Sequence, residues 1–142
     1  MKGPKAEFRI LRELVGASQE LVAAELGVDK RTIKRWESPA TDWEPRQFAW
    51  DWLEEARMRQ LDVVASALEA ADLQPDAPVA LTYWANAAEY EAAHPRQGRY
   101  WSMANANARL VYDALTCQGR EVTMDARPLR ELLGDDELPG GY

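Results

Sequence analysis

The sequence is poor in the residues that carry most metal-binding and nucleophilic chemistry. Its 142 residues include one cysteine, Cys117, and one histidine, His94. A single cysteine excludes an intramolecular disulfide and fits a reducing compartment. Neither residue has a neighbouring histidine or cysteine that would complete a zinc motif or an activated nucleophile. Paired acidic residues occur, but solvated helix faces and an acidic tail account for them. We therefore expect no enzymatic activity, no metal site and no cofactor.

Long apolar segments and glycine-rich loops are missing as well. No stretch approaches the roughly 18 apolar residues of a membrane-spanning helix. The first residues, MKGPKAEF, lack the apolar segment of a signal peptide. Gly16 is isolated and Gly140-Gly141 is terminal, so no phosphate-binding loop is expected. These absences predict a cytoplasmic protein with no membrane partner.

The negative charge is concentrated in the second part of the chain. The net charge is −7. Residues 1–40 contain eight lysines and arginines against six acidic residues, a net charge of +2, whereas residues 41–142 contain nine against eighteen, a net charge of −9. Because binding to a polyanion depends on the field at the contact surface, a basic face on an acidic protein is sufficient. The first part of the chain can therefore still bind nucleic acid.

Residues 18–37 have the pattern of two short helices joined by a tight turn. Ser18 is a suitable N-cap for the first helix, and Gly27 suits the left-handed conformation that ends it. The apolar residues of this first helix share one side at helical spacing, and they are Val22, Ala23 and Leu26. The pattern predicts a helix-turn-helix motif.

The second helix of the pair carries four cations within six residues. Asp29 is a suitable N-cap, and Ile33 and Trp36 turn inward. The cations that remain largely outward are Lys30, Arg31, Lys34 and Arg35. A basic helix of this kind can enter the major groove of DNA, although a solvated charged face explains the pattern alone equally well.

The same stretch resembles the Cro/repressor (XRE) helix-turn-helix family. The matching residues occur at the family's spacing, and they are Ser18-Gln19, Ala23, Leu26-Gly27-Val28, Asp29, Thr32-Ile33 and Trp36-Glu37. The chain departs from the family after Trp36-Glu37, where the family usually has a glycine and this sequence has Ser38-Pro39-Ala40.

The resemblance implies roles for individual side chains. Lys30, Arg31 and Arg35 would face the edges of bases, and arginine is well suited to guanine O6 and N7. Gln19 would hold a phosphate at the head of its helix. Thr32 and Lys34 are assigned to phosphate, although either could also contact a base.

The remaining segments predict a mainly α chain with a small α+β unit. Flanking helices are expected over residues 6–15, with Phe8, Leu11, Leu14 and Val15 facing the core, and over residues 46–71 unless a break occurs near 58–60. Trp43, Trp50 and Trp52 are expected to pack in the interior or between domains, with stacking on a ligand as the alternative. Strands are expected at 79–84 and 121–124, helices at 86–93 and 100–117, a helical turn at 129–133 and disorder at 134–142. Strands separated by helices should pair in parallel through a crossover.

Three regions follow from this pattern. Residues 1–72 form a helix-turn-helix DNA-binding domain with its connecting helix, residues 73–128 form a small α+β dimerisation domain, and residues 129–142 form an acidic, partly disordered tail. Because two strands alone make a marginal sheet, we expect a homodimer. The residues expected at its interface are Leu81, Tyr83, Trp84, Trp101 and Tyr112.

A second resemblance covers residues 8–115. The order of features along this stretch is similar to that of the anti-CRISPR-associated repressors. The features are a helix-turn-helix, a long helix, a proline-rich linker, residues 81–84, Glu89-Tyr90, His94-Pro95, Trp101 and residues 110–112. In those regulators the region after the helix-turn-helix forms the dimer. The resemblance implies a sequence-specific, dimeric transcriptional regulator, a repressor, which binds an inverted repeat of double-stranded DNA at a promoter.

Two alternatives remain open at this stage. The first is an antitoxin-like module whose C-terminal half binds a partner protein and whose helix-turn-helix regulates its own operon. The second is RNA binding through the basic helix and exposed aromatic residues.

Overall fold

The computed structural model describes residues 4–126, and this part of the chain is mainly helical. It contains six α-helices, one 3-10 turn and a two-stranded sheet. In chain order these are α1 (Lys5–Val15), α2 (Gln19–Leu26), α3 (Lys30–Glu37), α4 (Gln47–Asp72), β1 (Val79–Thr82), α5 (Ala87–Ala93), the 3-10 turn (Gly98–Tyr100), α6 (Trp101–Cys117) and β2 (Val122–Asp125). The prediction of a mainly α chain with a small α+β unit is confirmed.

The predictions for residues 129–133 and 134–142 lie outside the described residues. Within residues 4–126, no helix combines the length and the apolar character needed to cross a membrane.

The chain divides into two compact units, Met1–Val63 and Val64–Tyr142. Helix α4 contributes to both, since the division falls inside it. The domain boundary predicted from the sequence lies at residue 72, where the helix ends. The structure divides earlier because Ala71, near the end of α4, is buried with Val111 and Leu115 of α6 in the core of the second unit.

Edge-to-face aromatic packing occupies the core of the first unit. Phe8, Ile33, Trp50 and Leu53 are fully buried there. The Phe8 ring centroid lies 5.2 Å from that of Trp50 and 6.2 Å from that of Trp36, with interplanar angles of 87° and 82°. These are favourable geometries for aromatic pairs. Helices α1, α3 and α4 are thus joined through one phenylalanine.

Two expectations for this core are wrong. Leu14 is 39% exposed, and Arg12 is buried instead. The reason is the spacing of the face that packs, since Phe8, Arg12 and Val15 lie at i, i+4 and i+7 on α1. Of the three tryptophans expected in the interior, Trp50 is fully buried, but Trp43 is 52% exposed.

Helix α4 is continuous through residues 58–60, where the sequence allowed either a continuous helix or a break. Buried Gln60 sits at this point, and its Nε2 donates to the backbone oxygen of Leu14 at 2.7 Å. Its own Oε1 accepts from Arg57 at 2.5 Å. The polar side chain is therefore satisfied on both sides, as burial of an amide requires.

The two strands of the second unit pair in parallel, with Val79 opposite Val122 and Leu81 opposite Met124. The connection between them runs through α5 and α6, so the expected crossover is confirmed. Strand β1 ends at Thr82, two residues earlier than predicted. The backbone of Trp84 bonds instead to the buried side chain of Asn105, which accepts from its N–H at 2.7 Å and donates to its oxygen at 2.9 Å.

Apolar residues from α4, α6 and both strands form the core of the second unit. Its partly buried members are Val64, Ala67, Leu68, Val79, Leu81 and Val122. Arg120 closes this core at one end, because its guanidinium donates to the backbone oxygens of Ala71, Gln74 and Ala77 at 2.9–3.0 Å. Those bonds satisfy carbonyl groups at the C-terminal end of α4 and in the loop that follows.

Candidate nucleic-acid interface

Helices α2 and α3 form a helix-turn-helix whose ends are fixed by short-range contacts. Ser18 Oγ accepts from the Leu21 N–H at 3.0 Å and caps α2. Gly27 ends α2 with φ 67°, a left-handed conformation that carries no Cβ penalty in glycine. Asp29 Oδ1 then accepts from the Arg31 N–H at 2.8 Å and caps α3. A three-residue connection therefore sets the path between the two helices.

One side of α3 is packed into the core and the other carries its cations. Ile33 and Trp36 are buried, whereas Lys30, Arg31 and Lys34 are exposed. At 100° per residue, Arg31 and Lys34 point away from the buried pair. The cations thus lie on a face that the first unit leaves to solvent.

Arg31 and Lys34 keep their donors available. Within residues 4–126, neither side chain makes a hydrogen bond or an ion pair. Lys30 differs, because its Nζ lies 3.7 Å from Glu20 Oε1 on the neighbouring helix. Both partners of that pair are well exposed, so the pair contributes little and can exchange for a phosphate.

Arg35 occupies a different environment at the end of α3. Its guanidinium lies over the ring of Trp43, with Cζ 4.8 Å from the ring centroid. Its backbone oxygen accepts from Thr41 Oγ1 at 2.6 Å and from Lys5 Nζ at 3.1 Å. Arg35 is therefore tied to the loop that follows the helix.

Gln19, Lys30 and Lys34 line one shallow depression between the start of α2 and α3. The other residues that line it are Arg9, Arg12, Ser18, Glu20, Glu37, Ser38 and Pro39. Gln19 Nε2 donates to Glu37 Oε1 at 3.4 Å, which orients the amide at the head of α2. The structure thus brings together one of the three expected base contacts and two of the three expected phosphate contacts.

Thr32 lies on the opposite flank of α3. It is half-buried and lines a second groove with Trp36, Trp43 and Phe48. Arg31 lies between these flanks, and neither depression includes it.

Arg9 adds a further cation to the edge of the first depression. It donates to Glu13 Oε1 at 2.8 Å, one turn further along α1. This hydrogen bond lowers the pKa of the Glu13 carboxyl from its ordinary value. Both side chains remain exposed, so Arg9 can be drawn towards a phosphate at little cost.

Sequence reasoning missed a buried ion pair that ties α1 to α3. Arg12 Nε and Nη2 donate to the two carboxylate oxygens of Glu37, each at 2.7 Å. The side chains of Arg12 and Glu37 are only 10% and 5% exposed. Arg12 Nη1 also donates to the backbone oxygen of Ala17 at 2.9 Å. The position of Arg12 in the stripe with Phe8 and Val15 was a usable signal for its burial.

A second missed contact explains how α3 ends without a glycine. Lys5 Nζ donates to the backbone oxygens of Ser38 and Thr41 at 2.8 and 2.5 Å, besides that of Arg35. Ser38 itself has φ −77°, so the turn needs no left-handed residue. An ammonium group at the C-terminal end of a helix is favoured by its dipole and by its free carbonyls. No local pattern marks Lys5 for this role.

The residues predicted to form a dimer interface lie in several environments within the second unit. Leu81 packs in that unit's own core. Tyr83 accepts a hydrogen bond at its hydroxyl from Arg109 at 2.8 Å, and the Trp84 ring contacts Tyr90 and His94. Trp101 is half-buried, and Tyr112 is 42% exposed.

Other chemistry-bearing residues are dispersed. Among the described residues, no group of three or more histidine, cysteine or acidic side chains is placed to hold a metal ion. Cys117 is exposed. The His94 ring lies 4.5 Å from the Tyr90 ring, centroid to centroid, at a tilt of 37°, and burial raises the pKa of Tyr90. A comparison of the whole chain with protein-family models finds no match, and neither does a comparison with curated proteins.

Proposed function

We propose that the protein is a sequence-specific DNA-binding transcriptional regulator, a repressor that acts as a homodimer on an inverted repeat. The observation that carries this proposal is that α3 is buried on one side and exposes cations on the other. It presents the available donors of Arg31 and Lys34 on a helix whose other side is fixed in the core. A helix whose backbone is fixed in this way loses little further backbone freedom on binding.

The dimensions of α3 suit the major groove. An α-helix with its side chains is about 10–12 Å in diameter, and the groove is about 12 Å wide, so α3 can lie along it. Arg31 offers the planar fork that matches guanine O6 and N7, while Lys34 and Lys30 supply point charges for phosphates on either side. Gln19 meets a phosphate at the head of α2, where the helix dipole assists.

The second unit supports the homodimer. Within residues 64–126, its sheet has two strands of four residues each, and its fully buried apolar core is small. So small a sheet gains stability by packing against a second copy. A two-fold axis would place two α3 helices in successive major grooves about 34 Å apart, and occupation of a promoter in this way blocks polymerase.

Selection of the full chain against random duplex DNA tests the proposal. We expect enrichment of a palindrome whose half-sites are centred about 10 base pairs apart, or a multiple of that spacing. An Arg31→Ala/Lys34→Ala variant, selected in parallel, controls for nonspecific retention. Absence of an enriched sequence would refute DNA recognition, and enrichment of an isolated half-site would refute the dimer. Displacement of the selected duplex by structured RNA of unrelated sequence would favour RNA instead.

Replacing Gln19 with Ala should weaken binding by a similar factor on the selected duplex and on random DNA. The expected change is about 0.5–1.5 kcal/mol per subunit, because a contact to phosphate carries no information about sequence. Binding isotherms on both duplexes at one salt concentration provide the measurement. A loss confined to the selected duplex would assign Gln19 to a base.

A further inference from the structure

The loop after α3 returns to the helix and places a tryptophan over Arg35. The Trp43 ring lies 4.8 Å from the guanidinium carbon, yet 52% of the residue is exposed. Trp43 is not among the buried residues of the first unit's core, so core packing alone does not account for its position. The ring contact that it makes is with Arg35, a cation expected at the DNA interface.

The loop that carries Trp43 is anchored on both sides of it. Before the tryptophan, Thr41 donates to the Arg35 backbone oxygen at 2.6 Å, and its own backbone oxygen accepts from Lys5. After it, Pro45 is buried and leads into α4. These anchors hold the indole next to Arg35 without help from a ligand.

The contact with Trp43 determines which hydrogen-bond donors Arg35 can offer to a base. An arginine on an aromatic face keeps its N–H donors in the guanidinium plane, where they remain available at the edge. The Arg35 Cζ lies 4.8 Å from the ring centroid, so the indole occupies one side of the guanidinium and restricts the side chain. Arg35 is thus pre-ordered for an in-plane contact to a base, whereas Arg31, which the described residues leave unstacked, must be ordered on binding.

We propose that Trp43 is a positioning residue for Arg35 in base recognition. The inference rests on the proposed function and deepens it. Trp43 itself makes no base contact; it fixes the plane in which Arg35 offers its donors. The specificity of the site therefore extends beyond α3 into the loop at residues 38–45.

The test uses the duplex selected by the wild-type chain. Arg35→Ala should lose its preference at one base pair of this duplex. That base pair is the one that Arg35 contacts. We expect Trp43→Leu to reduce discrimination at that same base pair by about two- to fivefold, which corresponds to a cation–π contact at an exposed site. Trp43→Phe should restore most of it, because the ring face is retained. Phe48→Leu is the matched control, since Phe48 is an exposed aromatic residue of the same groove that packs on Trp36 instead.

A double variant separates positioning from direct contact. In the Arg35→Ala background, Trp43→Leu should cause no further loss of affinity. A further loss there would overturn the inference, because Trp43 would then contact DNA itself. Unchanged discrimination in Trp43→Leu alone would also overturn it while leaving the proposed function intact.

Proton NMR of the protein without DNA tests the contact between Trp43 and Arg35. The ring current of Trp43 should shift the Arg35 Nε–H and Cδ–H proton resonances, and this shift should vanish in Trp43→Leu with an unchanged melting temperature. Loss of the shift together with loss of discrimination supports positioning. A wild-type chain that selects no sequence would overturn the proposed function and this inference together, which distinguishes that failure from the two above.

Discussion

Replacing Arg31 with Ala should weaken binding to the selected duplex by about 2–6 kcal/mol, since each half-site of a dimer loses about 1–3 kcal/mol. Arg31 is exposed, points away from the buried face of α3 and keeps its donors available among the described residues. Its backbone N–H is held by Asp29, so the start of the helix stays formed in the variant. The loss should therefore come from recognition and leave the fold intact.

Competition binding with single base-pair variants of the duplex is the measurement. Arg31→Ala should flatten the preference at one base pair in each half-site. Lys34→Ala is the matched control on the same helix, and it should weaken all duplexes alike and reduce the slope of log K against log salt by about 1 per subunit. A uniform loss for Arg31→Ala would reassign Arg31 to phosphate.

The helix-turn-helix was predictable because its signals are local. Ser18, Gly27 and Asp29 each act within three residues of their own position, and each is found at the helix end where the sequence placed it. The parallel strand pairing was also predictable, because a long helical connection leaves few other arrangements.

Contacts between residues far apart in the chain could not be predicted from the sequence. Lys5 reaches carbonyl groups 30–36 residues away. The Asn105 side chain hydrogen-bonds to both backbone groups of Trp84, which is 21 residues away, and β1 ends before Trp84. Propensity and periodicity describe neighbours along one element, so neither can identify a partner on another element.

The exposed and buried cations of the first part of the chain illustrate the same limit. By type and position, Arg12 resembles the other basic residues that the sequence offers for DNA. The Glu37 carboxylate offsets the charge of Arg12, and the loop carbonyls occupy the hydrogen-bond donors of Lys5. The exposed basic surface is thus narrower than the count of cations suggests, and it centres on Arg31 and Lys34.

Replacing Arg12 with Met should lower the free energy of unfolding of the first unit by about 3–5 kcal/mol. The Glu37 side chain is 5% exposed, so the variant leaves a buried carboxylate without its cation. A loss of this size is a large part of the 5–15 kcal/mol that stabilises a typical domain. Urea unfolding followed by far-UV circular dichroism and by tryptophan fluorescence measures the change.

Two comparisons show whether the uncompensated charge is the cause. Arg9→Met removes an arginine from the exposed i, i+4 pair with Glu13 on the same helix and should leave the free energy of unfolding nearly unchanged. Arg12→Met/Glu37→Leu removes both buried charges and should recover most of the stability, because apolar replacements of similar volume often match a buried ion pair. If the double variant is as unstable as Arg12→Met, the hydrogen bond to Ala17 and the shape of the side chain hold α1 to α3. Whichever result is found, the double variant lacks the Glu37 oxygen that accepts from Gln19 Nε2, so it should lose phosphate affinity as Gln19→Ala does.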